Sequence, residues 1–132
     1  MQPPIKQALH TNAAPEALGP YSQAVVIGDF LFTSGQVPID PKIGKLCEGD
    51  IEKQTTQVMK NLECILQTKG CSFDHVIKST IYLLDMGNFQ RVNAIYGEYF
   101  KAPYPSRSTV QVAALPLGAT IEIDMIAHLP SA

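Results

Sequence analysis

Arg107 and Thr109, and later Glu122 and Asp124, occupy alternate positions in two β-prone runs near the end of the chain. A guanidinium is a planar fork that takes a carboxylate through two parallel, charge-assisted hydrogen bonds. A carboxylate beside it can accept a proton from water and return it to a leaving group. Held together, such groups would bind a small acid and direct water at it. On a solvated surface the same residues would make cross-strand ion pairs, and residue type alone does not choose between these readings.

Their placement depends on the pleat, because successive side chains of a strand point to opposite faces. From Thr120 to His128, the residues Ile121, Ile123, Met125 and Ala127 share one face, while Glu122, Asp124, Ile126 and His128 share the other. From Ser106 to Val112, Val110 and Val112 lie opposite Arg107, Thr109 and Gln111. If the two runs pair as an antiparallel hairpin with apolar faces matched, all four polar side chains come to one sheet face.

The elements that must position them are legible by period. Tyr21 to Ile27 and Phe30 to Ser34 read as strands around a tight Gly28-Asp29 turn, with Gly supplying the positive φ. A turn is expected at Asp40-Pro41-Lys42-Ile43-Gly44. Ile51, Thr55, Val58, Met59, Leu62, Ile65 and Leu66 make one helical stripe, with Asp50 as N-cap and Gly70 as the stop. Val76 to Leu84 reads as a strand. Asp85 is placed as the cap of a second helix whose buried face is Phe89, Val92, Tyr96, Tyr99 and Phe100, ended by Pro103 and Pro105. A short strand is expected within Ile5 to His10. The pattern is α+β, a mixed sheet with two helices on one face.

The totals exclude several classes. At 132 residues the chain falls in the single-domain range of roughly 100–200, so residues 1–132 are taken as one domain. So small a domain leaves much of its surface in water, which favours a site shared between subunits over a deep private one. Net charge is −2 and Lys and Arg are scattered singly, without the basic stripe that a nucleic-acid binder needs. Cys47, Cys64 and Cys71 are odd in number and lack a C-x-x-C, and His10, His75 and His128 lack ligand spacing. No disulfide framework and no metal are expected. Neither G-x-G-x-x-G nor a P-loop occurs, so no nucleotide cofactor is expected. Met1 to Lys6 lacks the apolar core of a secretory signal, and no run approaches the roughly 18 apolar residues of a membrane span. The cytosol is the expected location.

Four segments in order resemble the RidA/YjgF family of reactive-intermediate (enamine/imine) deaminases. They are Ala17-Leu18-Gly19-Pro20-Tyr21-Ser22-Gln23-Ala24; Phe32-Thr33-Ser34-Gly35-Gln36-Val37-Pro38; Val92-Asn93-Ala94-Ile95-Tyr96; and Pro105 to Val110 running on through Ala114-Leu115-Pro116 to Ile121-Glu122-Ile123. Each is weak alone, and the set spans almost the whole chain. The resemblance implies a chorismate-mutase-like fold and a homotrimer with sites between subunits. It implies cofactor-free hydrolysis of 2-iminobutanoate or 2-iminopropanoate to the 2-oxo acid and ammonia. It casts Arg107 as the holder of the substrate carboxylate and Glu122 as the acid that positions water. Tyr21, Ser34, Gly35, Asn93 and Thr109 are cast as substrate-binding. Many relatives carry Cys where this chain has Thr109; if the contact is through the backbone N–H, Thr serves as well.

Two other classes stay open at this point. One is a non-enzymatic protein that senses a small acid through Arg107. The other is an RNA-acting translation inhibitor, against which the charge pattern argues.

Overall fold

The structure, a computed structural model, describes residues 5–131. The reading of Met1 to Lys6 falls partly outside them. The chain begins with an antiparallel meander of β1 (Gln7–Leu9), β2 (Ala24–Ile27) and β3 (Phe30–Thr33). Gly28, at φ 57°, supplies the left-handed residue that the expected tight turn requires. β2 starts later than expected. The Tyr21 N–H is turned back onto the Gly19 carbonyl, and the buried Gln23 side chain ties the loop by hydrogen bonds to backbone at Thr11 and Pro15. The predicted turn at Asp40–Gly44 joins a two-stranded ladder, β4 (Ile39–Asp40) with β5 (Lys45–Leu46).

Helix α1 (Ile51–Gln67) forms as its stripe predicts, and the whole stripe is buried. The Asp50 carboxylate caps it by accepting from the Lys53 N–H at 2.9 Å, an interaction worth about 1 kcal/mol. β6 (Val76–Leu83) follows. Asp85 caps a short 3₁₀ turn at Met86–Asn88 by accepting from the Gly87 N–H, and α2 (Phe89–Gly97) begins only after that turn. β7 (Ser106–Gln111) and β8 (Ile121–His128) close the fold.

The main sheet has six strands in the order β1-β2-β3-β8-β6-β7. One face is covered by α1, whose Val58, Met59, Leu62, Ile65 and Leu66 pack against Leu31, Ile121, Ile123 and Met125, all buried. α2 joins the same layer: the Tyr96 hydroxyl donates to the Ser79 hydroxyl at 2.9 Å in the core. Full burial of a Leu or Ile stabilises by about 1.5–3 kcal/mol, so this interface dominates the fold.

The expected hairpin of the last two strands does not form. β6 lies between them, paired parallel with β7 and antiparallel with β8. The β6-α2-β7 segment is a crossover unit, and a connection through a helix returns the chain parallel. The polar sets therefore separate. Arg107 pairs with Ser79 and Thr109 with Ile81, on the face that the helices cover. Glu122 pairs with Tyr82 and Asp124 with Thr80, on the open face.

Candidate functional site

Two clefts hold the sequence-predicted residues other than Thr109, and they lie on opposite sides of the sheet. The first, about 470 Å³, is lined by Asn93, Tyr96 and Gly97 of α2 and by Tyr104, Pro105 and Arg107 at the start of β7. Arg107 is fixed from three directions. Its Nη1 donates to the Asn93 Oδ1 at 2.7 Å. Its guanidinium lies 5.0 Å from the Tyr96 ring centre and 5.7 Å from that of Phe89. Aromatic faces attract a cation through their quadrupole. No carboxylate takes Arg107 in an ion pair among the described residues, so the fork remains available to a ligand anion.

Asn93 thus acts on the arginine, a different contact from the substrate contact expected of it. Phe89 and Tyr96 appear in the sequence only as members of a buried helical face. With Asn93 they stand at i, i+4 and i+7, one side of α2, which is the pattern that could have revealed the platform. Tyr96 is buried, and desolvation pushes its hydroxyl above the usual tyrosine value; it serves as a neutral surface.

Thr109 lines neither cleft. It faces the helix layer beside Ile81, and its hydroxyl oxygen is buried without a hydrogen-bond partner.

The second cleft, about 560 Å³, gathers Tyr21, Ser34, Gly35 and Glu122, walled by Leu18, Val37, Ile39, Pro116 and Leu117. Ser34 is anchored: its N–H donates to the Gln23 carbonyl, and its hydroxyl donates to the Ser22 carbonyl at 2.5 Å. Gln36 N–H donates to the Ile123 carbonyl and Ile123 N–H donates back, stitching the loop to β8 beside Glu122. Tyr21 is exposed at the mouth, 54% accessible, with its ring over Gly19.

Glu122 is half-buried at the foot of this cleft. Burial, and secondarily the nearby charge of Asp124, raise its carboxyl above the ordinary glutamic acid value. A carboxylate held at elevated basicity is a better proton acceptor. Asp124, on the same face of β8, accepts a hydrogen bond from the Tyr82 hydroxyl at 3.1 Å. Leu117, unsignalled in the sequence, forms the rim. It is 70% exposed and holds φ 60°, a left-handed conformation that a leucine rarely adopts.

Glu16 also lines the second cleft, while none of the three cysteines lines either one. Burial raises all three thiols above their usual pKa, so they are held protonated. Among the described residues no three His, Cys, Asp or Glu side chains cluster as metal ligands, and no helix is long and apolar enough to cross a membrane.

The family model described as Endoribonuclease L-PSP matches residues 11–129. The chain is 44% identical over 123 residues to the human protein named 2-iminobutanoate/2-iminopropanoate deaminase, covering 93% of this chain and 90% of that one. It superposes with a TM-score of 0.92 and 48% identity on a crystal structure from Yersinia pestis described as belonging to the conserved Rid protein family, covering 95% of this chain and 100% of the other. Escherichia coli TdcF, solved with bound serine, matches with a TM-score of 0.88 and 38% identity over 95% of this chain and 99% of its own.

Proposed function

The chain belongs to the RidA/YjgF family, and from that membership we propose that it hydrolyses small 2-imino acids, such as 2-iminobutanoate and 2-iminopropanoate, to 2-oxo acids and ammonia. The reaction needs no cofactor, and each site is shared by neighbouring subunits of a homotrimer. The observation that carries this reading is the separation of Arg107 from Glu122. One lies on the helix-covered face and the other on the open face, in different clefts. The two can act on one small substrate only if the arginine cleft of one protomer meets the glutamate cleft of the next. The open face supports such assembly, since Phe30, Phe32 and Val110 are exposed on it. Exposed apolar side chains on a sheet face that no helix covers are what association would bury.

The chemistry follows from the two clefts once they meet. Arg107, already planar-oriented by Asn93 and the two rings, takes the substrate carboxylate bidentately. This fixes the plane of the imine, whose protonated carbon is electrophilic without further activation. Orientation is then the main requirement. Glu122, its basicity raised by burial, accepts a proton from the attacking water as the new C–O bond forms. It returns that proton to nitrogen and then takes the carbinolamine hydroxyl proton as the C–N bond breaks, so that the C=O of the 2-oxo acid forms and ammonia leaves. The bound serine of the TdcF relative, an amino acid that carries the same carboxylate, agrees in chemistry with the arginine fork.

The test is an amino-acid oxidase that generates 2-iminobutanoate from 2-aminobutanoate, with and without this protein. Faster appearance of 2-oxobutanoate and ammonia is expected. Binding of 2-oxobutanoate through Arg107 with no acceleration of hydrolysis would overturn the enzymatic reading in favour of an acid sensor.

A further inference from the structure

Gly35 lies in the second cleft, where a glycine is not required by its backbone. Its φ is not among the positive ones that Gly19, Gly28, Gly44, Gly49, Gly70 and Gly118 adopt. An alanine could take the same conformation. What excludes a side chain is Glu122. A Cβ placed on Gly35 would overlap the Glu122 Oε2 and lie 2.7 Å from its Cδ and 3.0 Å from its Cγ. Contacts that close do not occur between real atoms, so one partner must move.

The backbone is the partner that cannot move. On one side Ser34 donates its N–H to the Gln23 carbonyl at 2.9 Å and its hydroxyl to the Ser22 carbonyl. On the other, Gln36 and Ile123 exchange hydrogen bonds at 2.9 and 3.1 Å, joining the loop to the strand that carries Glu122. Residue 35 is pinned from both neighbours. The Glu122 carboxyl group therefore packs directly against the Gly35 main chain, in the space that a Cβ would fill.

We propose that Gly35 is the positioning residue for Glu122: its missing side chain is the seat that holds the carboxylate where water must be activated. The proposal rests on the role of Glu122 argued above, and it adds to the site-lining role that the family resemblance implies for Gly35. A methyl group at position 35 would swing the carboxylate off its seat while leaving the fold and Arg107, on the far face of the sheet, untouched.

The experiment is a cycle of Gly35→Ala, Glu122→Ala and the double variant. Each is measured for kcat and KM in imine hydrolysis, for binding of 2-oxobutanoate, and for Tm. Loss of the acid should lower kcat by about 10²–10⁴-fold. Gly35→Ala should lower kcat at least about tenfold, in proportion to the misplacement of a proton-transfer group, with 2-oxobutanoate binding retained. The double variant should lose no more than Glu122→Ala alone, because the clash has no target once the carboxylate is gone. A Gly35→Ala enzyme with wild-type kcat beside an impaired Glu122→Ala overturns the proposal and spares the role of Glu122. Losses that multiply in the double variant also overturn it, since Gly35 would then act directly on substrate. A fully active Glu122→Ala overturns both together. If Gly35→Ala fails to fold, recovery of folding in the Glu122→Ala background upholds the seat, and persistent failure overturns it.

Discussion

Two dead enzymes should make a live one. If Arg107 and Glu122 of the same substrate site come from different protomers, Arg107→Ala and Glu122→Gln remove different halves of it. Each variant alone contains only crippled sites. Losing the water-positioning acid lowers kcat by about 10²–10⁴-fold. Losing the planar fork raises KM and, through lost orientation, lowers kcat as well. When the two are unfolded together and co-refolded in equal amounts, random assembly pairs an intact arginine with an intact glutamate at about a quarter of the sites of a cyclic trimer. With each parent at or below about one hundredth of wild type, the mixture should exceed either by roughly 25-fold or more. The measurement is imine hydrolysis coupled to an amino-acid oxidase, beside native mass spectrometry for mixed trimers. Mixed trimers with no recovered activity would refute the shared site. A monomer that is fully active at assay concentration would refute it more directly, because the two clefts lie on opposite faces of one sheet.

Three further outcomes are expected. Asp124 lies beside Glu122 and raises its pKa, second to burial; if Glu122 is the proposed base, its ionised carboxylate is the active form and activity falls as pH drops through that raised value. Asp124→Asn should therefore move the acid limb of the kcat profile to lower pH without restoring the ordinary glutamate value, and a limb that stays in place would contradict the assignment. Leu117→Gly should relieve about 1–2 kcal/mol of left-handed strain against roughly 0.5–1 kcal/mol of added unfolded-chain freedom, and the exposed side chain forfeits little packing, so Tm measured by calorimetry should stay level or rise slightly. Tyr96→Phe should cost about 1–3 kcal/mol in denaturant unfolding, because the buried Ser79 hydroxyl loses its partner, yet leave KM nearly unchanged since the ring beneath Arg107 persists; Tyr96→Leu, which removes the ring, should raise KM.

The sequence alone determined the local elements, because their causes are local. The α1 stripe, the Asp50 cap and the Gly28 turn are each written in residues a few positions apart, and each stands in the structure. The alternation in β8 likewise assigned Ile121, Ile123 and Met125 to the core and Glu122 and Asp124 to the other side. Motif order across the chain singled out Arg107 and Glu122 as candidates for the chemistry. Tertiary structure decided how they are arranged. A two-residue period states which side chains of one strand share a face, but not which strand lies beside it. The β6-α2-β7 crossover inserted β6 between β7 and β8 and set the arginine on the helix side and the glutamate on the open side. The aromatic platform under Arg107 and the bare seat under Glu122 were hidden for the same reason: each joins residues distant in the chain, and only packing brings them within reach of one another.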